Sequence, residues 1–319
     1  MKNLLSASIL LLSIAGLSLF PLVANATEVT KTRIISFPKD YSVGMAYFIP
    51  PKRENLVVWS QDAVSTQKAQ GNIKVPASPN GGVLLVGGYH LAQNMKVLQK
   101  LKANDLQYLD MYRTEIEDKD IVNIVGLTGL IGLQLDDTEI GDASLKTICR
   151  LPNLKFLTLS STQVTGATLA YLAPLKNLRR LELGHNILKK EYLSELLKLR
   201  QVQKMGLQGC QINDKDLETI GKLDNLETLH LLENTQITDL GLKKLAGLKR
   251  LGVLEITHAQ ITINGLKALK HLPLYLLIIG KGQFTPSQID RIKQVFPKAQ
   301  INIHDSSNRM DPELFKPLH

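Results

Sequence analysis

Hydrophobic residues return along most of this chain with a period of 24. From Leu106 onward the pattern L-x-x-L-x-L-x-x-T-x-I recurs, first as Leu106, Leu109, Met111, Thr114 and Ile116, then as Leu130, Leu133, Leu135, Thr138 and Ile140. Further copies start at Leu154, Leu178, Val202, Leu226, Leu251 and Leu274, spaced 24 apart save for one interval of 25 and one of 23. Within L-x-x-L-x-L the apolar residues alternate with one polar position, the period of a strand buried on one face. Beyond the turn the period changes. Leu169 and Leu172, Leu217 and Ile220, Leu242 and Leu245, and Leu266 and Leu269 stand three apart, which predicts a helix with one apolar stripe. Thr238 and Thr262 predict N-caps, and Thr285-Pro286-Ser287-Gln288 combines a cap, a proline in the first helical position and a glutamine in the third. Each unit therefore reads as strand, turn, helix and return loop. One unit cannot enclose its own leucines, so neighbours must stack and their strands must join in a parallel sheet, about 35 to 40 Å of it at ~4.8 Å per strand. Ile301-Asn302-Ile303 keeps the phase without a downstream half, as a terminal unit would.

This text resembles the leucine-rich-repeat family over about residues 106 to 305, and Ile237-Thr238-Asp239-Leu240-Gly241-Leu242-Lys243-Lys244-Leu245 is similar to its ribonuclease-inhibitor-like and cysteine-containing-like classes. The resemblance implies an α/β fold: a leucine-rich-repeat solenoid, a right-handed horseshoe with a parallel sheet on the concave face and helices outside. It implies a binding surface without naming a ligand, because the fold serves unrelated ones. The ninth position, where many members carry Asn or Cys to bond turn backbone, reads Thr114, Thr138, Thr162, Asn186, Cys210, Asn234, Ala259 and Gly282. That ladder is expected to lapse in the last two repeats.

Residues 27–81 fall outside the repeat. Short strands are expected at 33–37, 43–48, 56–59 and 71–75, punctuated by prolines, which makes a β-rich N-terminal cap over the open sheet edge, with a separate binding domain as the alternative. Phe37-Pro38-Lys39-Asp40-Tyr41-Ser42-Val43-Gly44 and Gly71-Asn72-Ile73-Lys74-Val75-Pro76 resemble the leader of exported bacterial leucine-rich-repeat proteins. Ahead of it, Lys2, an apolar run from Leu4 to Leu22 and the small-x-small site Ala24-Asn25-Ala26 predict a signal peptide over 1–26, hence a periplasmic or secreted chain. No later apolar run is long enough to span a bilayer, so no transmembrane segment is expected after cleavage. Residues 82–305 read as the solenoid, with eight clear repeats from 106 and degenerate terminal units, the first over Val83–Val86 and Leu91–Leu101; 306–319 is a C-terminal tail.

Charge narrows the partner class. The chain carries 38 Lys+Arg against 29 Asp+Glu, a net +9 that invites a nucleic-acid reading. Sorting by face removes it: the concave positions hold Arg113, Arg180, Lys204 and Lys281 against Asp110, Asp136, Asp137, Glu182, Glu233 and Glu255. A mixed, slightly acidic wall has no basic stripe to track phosphates. The excess base falls on helices and return loops, such as Lys189-Lys190 and Lys243-Lys244, a solvated outer face or a weak attraction to anionic envelope surfaces. Cys149 and Cys210 lie two to three rungs apart, more than ~10 Å and beyond disulfide reach, so both read as buried structural thiols. The seven histidines lack ligand spacing, Asp110, Asp136 and Asp137 do not match a calcium loop, and no nucleophile or phosphate-loop motif occurs. No metal, cofactor or enzymatic activity is expected.

With rings at only 5% of the chain, Tyr108, Tyr112 and Phe156 stand out as an exposed concave triangle, rimmed by Asp110, Asp136, Asp137 and Arg180. The competing expectation is that Tyr108 and Phe156 pack under the cap or against each other. The function expected is a non-enzymatic exported recognition or scaffold protein that holds a protein or peptide on the concave face. A cell-envelope carbohydrate-binding or surface-attachment module is the alternative. The same register predicts that Leu181→Ala costs ~2 to 5 kcal/mol and Glu182→Ala, one residue on, stays within ~0.5.

Overall fold

In a computed structural model the 24-residue period becomes a ladder of strands; the structure describes residues 32–49, 65–76 and 82–305, all in one compact unit. Four N-terminal strands come first: β1 (Thr32–Ser36), β2 (Gly44–Ile49), β3 (Ser65–Lys68) and β4 (Asn72–Pro76). β5 (Gly82–Gly87) then opens a run of parallel neighbours: β6 (Tyr108–Asp110), β7 (Gly132–Gln134), β8 (Phe156–Thr158), β9 (Arg180–Glu182), β10 (Lys204–Gly206), β11 (Thr228–His230), β12 (Val253–Glu255), β13 (Leu276–Gly280) and β14 (Gln300–His304). The register is unbroken, Leu84 beside Tyr108, Gly132, Phe156, Arg180, Lys204, Thr228, Val253, Leu276 and Gln300 in turn. β2 pairs antiparallel with β5 and β3 with β2, which brings the sheet to 12 strands, while β1 and β4 form a separate antiparallel pair.

The alternation sorts the two faces. Leu109, Leu133, Leu157, Leu181, Met205, Leu229, Leu254 and Leu277 are all buried, and they join one core with Leu145, Leu172, Leu217 and Leu242 from the segments that return to the next strand. Ile35, Val43, Ala46 and Val75 belong to that same core, so the N-terminal strands share its packing. The opposite, open face carries the third, fifth and seventh positions of each rung.

The strands expected at 33–37, 43–48 and 71–75 fall within one residue of β1, β2 and β4, and β3 is an addition. The strand expected at 56–59, the signal peptide over 1–26 and the tail over 306–319 lie outside the described residues. The returning segments need correction. Asp142–Ile148, Asp216–Ile220, Asp239–Lys244, Ile263–Lys267 and Pro286–Val295 are α-helical, but Asp118–Ile124, Leu169–Leu172 and Lys190–Lys198 are 3₁₀. A 24-residue unit leaves few residues for its outer side, and 3₁₀ spans more length per residue, ~2.0 Å against 1.5. The caps form: the hydroxyls of Thr238 and Thr262 accept from Leu240 and Asn264 N–H, and Thr285 with Gln288 closes a capping box.

Polar side chains fasten each rung to the next. Asn186 and Asn234 donate to the carbonyls of Leu159 and Leu207 one rung back, at 2.7 and 2.9 Å, and the Cys210 thiol lies 3.1 Å from the Leu183 carbonyl. Thr114, Thr138 and Thr162 turn instead to their own carbonyls at Met111, Leu135 and Leu159. A second set, at the return loops, has Asn153, Asn177 and Asn225 donating to Thr128, Pro152 and Arg200. A third is acidic: Asp214 accepts from the Thr238 N–H and hydroxyl, and Asp239 from those of Thr262, at 2.6 to 2.7 Å. Both thiols are free, as the spacing requires, but Cys149 is partly exposed and only Cys210 is buried, where burial pushes its thiol up to about 11. No helix among the described residues is long and apolar enough to cross a membrane.

Candidate functional site

Three neighbouring third positions on the open face are Tyr108, Gly132 and Phe156. A Cβ on Gly132 would stand 2.6 Å from Tyr108 Cδ1, so the missing side chain is what lets the tyrosine ring tip over β7. With Phe156 on the far side, the gap is a shallow, open notch. Gln134, Thr158 and Asp110 complete its lining. Behind it Tyr108 packs with Tyr47 and Val86 against Ile49 and Leu84, so the N-terminal strands hold one wall in place.

Two carboxyls lie beside the notch. Asp110 accepts the Tyr112 N–H at 2.8 Å, and burial raises its proton affinity above the usual carboxylate range. Asp136 accepts the Ser160 N–H at 2.6 Å, yet burial pushes it up to about 7; the charges of Glu182 and Asp110 act in the same direction, and the Ser160 amide and Thr158 hydroxyl oppose them. The Thr158 hydroxyl stands near enough to Asp136 to steady its charge but makes no well-formed hydrogen bond.

The expected triangle divides. Tyr108 and Phe156 share the notch and are partly buried rather than exposed; Asp110 lines it and Asp136 adjoins it. Tyr112 does not line it. It sits in the turn with the Arg113 guanidinium 4.9 Å above its ring, and Arg113 pairs with Asp137 at 3.1 Å. Arg180 is bound to Glu182 at 2.6 Å, and both side chains are about nine-tenths buried. This overturns the expectation that Glu182 behaves as a free surface acid. Gly206 leaves room for the carboxylate to lie flat across the next rung, since a Cβ there would collide with Glu182 Oε2.

Sequence reasoning missed Gly132, Gln134 and Thr158; a glycine at the third position, where other rungs carry bulk, was the available signal. It also missed a buried group at the other end of the face. His230 Nδ1 is 2.8 Å from Glu255 Oε2, and His304 Nδ1 is 3.6 Å from Oε1 of the same carboxylate, which is 2% exposed. No group of three or more His, Cys, Asp or Glu among the described residues is arranged to hold a metal ion.

A parallel strand every 24 residues, leucines buried at fixed positions and Asn, Cys or Thr tying the turns together decide the architecture. The fold is a leucine-rich-repeat solenoid. No family model matches this leucine-rich-repeat chain, and no curated protein matches it in sequence. Among solved structures it is similar to internalin C2 of Listeria monocytogenes, at 22% identity over 67% of this chain and 92% of that one, with a TM-score of 0.48. A leucine-rich-repeat protein of Leptospira interrogans is 23% identical over 65% of this chain and 62% of its own, at 0.40. The HAESA receptor-kinase ectodomain of Arabidopsis, solved with a peptide hormone, is 19% identical over 64% of this chain and 39% of its own, at 0.44. At such identities the likeness concerns the fold alone.

Proposed function

We propose that this leucine-rich-repeat protein is a non-catalytic, exported recognition protein that holds a protein or peptide on the open face of its sheet. The notch at Gly132 carries the reading. Elsewhere on that face charged side chains already meet one another, Arg180 with Glu182, His230 with Glu255 and Lys281 with Asp305. At the notch two aromatic walls stand beside two desolvated carboxyls, and no cation among the described residues pairs with either. Apolar walls with unspent polar capacity are what an interface anchor fills. Export rests on the leader ending at Ala26.

The test is capture from envelope extract by the immobilised chain. Phe156→Ala is expected to weaken retention of a protein partner by ~1 to 3 kcal/mol with little change in melting, because the ring lies at the rim. Tyr108→Ala should weaken it too but also lower the melting midpoint, since that ring braces the N-terminal strands. Retention on purified glycans, with no protein partner and with loss on replacing Lys189, Lys190, Lys243 and Lys244, would replace this reading by surface attachment.

A further inference from the structure

We propose that the cleft between the last two outer helices, Ile263–Lys267 and Pro286–Val295, is a binding site for an acidic sugar, a hexuronate unit. It is separate from the notch and does not rest on the recognition reading. Each helix turns the same kinds of side chain into the cleft: Ile263, Asn264 and Lys267 from one, Val295, Gln294 and Arg291 from the other. Spacings of three and four residues keep each set on one helix face. The cleft measures about 360 Å³, room for a sugar ring.

Its charge is unanswered. Elsewhere on the outer side a cation between neighbouring segments meets an acid: Lys190 pairs with Asp216, and Lys222 and Lys244 with Glu218. No carboxylate lines this cleft, and neither Lys267 nor Arg291 has an ion-pair partner among the described residues. The acids of the adjoining helices are spent, Asp290 on Lys293 at 3.5 Å and Asp239 on the amide and hydroxyl of Thr262. Two free cations call for an anion, and a guanidinium takes both oxygens of a carboxylate at once.

The rest of the lining selects among anions. The side-chain amides of Asn264 and Gln294 each offer N–H donors and a carbonyl acceptor, the complement of hydroxyls, which also donate and accept. An inorganic anion would leave both carbonyls unmatched. Ile263 and Val295, partly buried against the core, form a floor for the C–H face of a ring. A hexuronate brings carboxylate, hydroxyls and an apolar ring face together.

The experiment titrates the full chain with methyl galacturonide, uncharged methyl galactoside and inorganic phosphate, followed by the methyl NMR signals of Ile263 and Val295. Saturable shifts are expected with the galacturonide, and binding about tenfold weaker or less with the other two. Lys267→Gln and Arg291→Gln should each weaken galacturonide binding about fivefold or more with the melting curve retained, because both side chains are exposed. The double change Lys243→Gln and Lys244→Gln, on the preceding helix, removes as much charge and should alter binding less than about twofold. Gln294→Ala should weaken the galacturonide and leave phosphate unchanged. Tetragalacturonate separates the sources of the sugar: tighter binding than the monomer assigns the site to a polymer, equal binding to a free sugar or chain end, and either upholds it. Absent shifts, equal binding of galactoside or phosphate, or an equal loss on replacing Lys243 and Lys244 would overturn the site.

Discussion

Asp136 turns its burial into a pH signature. Its folded-state proton affinity is raised to about 7 from 3.8, so between those values the folded chain keeps a proton that the unfolded chain has lost. Stability contributed at this residue therefore falls as pH rises from about 4 to 7 and stays low above. Asp136→Asn, which retains an acceptor for the Ser160 N–H, should raise the melting midpoint at pH 8 and leave it nearly unchanged at pH 4. Equal shifts at both would show that Asp136 is solvated. Glu182 and Glu255 are each held by a basic side chain. Glu182→Ala removes the carboxylate that the buried Arg180 meets at 2.6 Å and should cost ~1 to 3 kcal/mol in denaturant melts, more than a free surface acid would. His230→Ala removes the 2.8 Å bond to Glu255 and leaves the carboxylate with His304 at 3.6 Å, so it should cost ~1 to 3 kcal/mol, the penalty for a buried polar group short of one partner. Spacing alone placed Glu182 on the open face correctly. Its burial was not legible, because that depends on Gly206, a residue of the next rung.

At the scale of the element, each turn from β6 to β13 contains a left-handed residue at one shared position, Arg113, Asp137, Ser161, His185, Gly209, Glu233, His258 and Gly282, with φ between 53° and 76°, and the turn after β10 adds a second, Gln211 at 56°. Glycine occupies two of these and side chains the others at a steric cost, so Ser161→Gly should stabilise by about 0.5 to 1 kcal/mol and Ser161→Val should destabilise by more. Chemical denaturation of the three proteins checks both signs. The strands were legible because alternation inside a fixed 24-residue frame has one solution. The outer segments were only half legible, since apolar residues three apart satisfy α and 3₁₀ geometry alike, and Leu169 with Leu172 proved to be the latter. The acids of the helix side, Asp214 and Asp239, gave no signal either, because their hydrogen bonds run to the following repeat.

Over the whole molecule, stability is a sum of rungs and the contacts between them. Leu157→Ala, at a fully buried site in β8, should cost ~2 to 5 kcal/mol and loosen the adjacent rungs first, which hydrogen exchange would show as protection lost around Leu133 and Leu181 before Leu254. The repeat fold could be read from the sequence, whereas the notch could not be read in full. Tyr108, Asp110 and Phe156 were found by their register, but the space they enclose is made by Gly132, a residue with no side chain to attract notice. The claim that most needs testing is that partners dock on the open face at that notch. A benzophenone-bearing residue placed at Tyr112, in the turn after β6, and another at Lys198, on the helix side, settle it in one measurement of photo-crosslinking in envelope extract. The account predicts a protein adduct from position 112 that excess unmodified chain suppresses, and none from 198; adducts from 198 alone would contradict it.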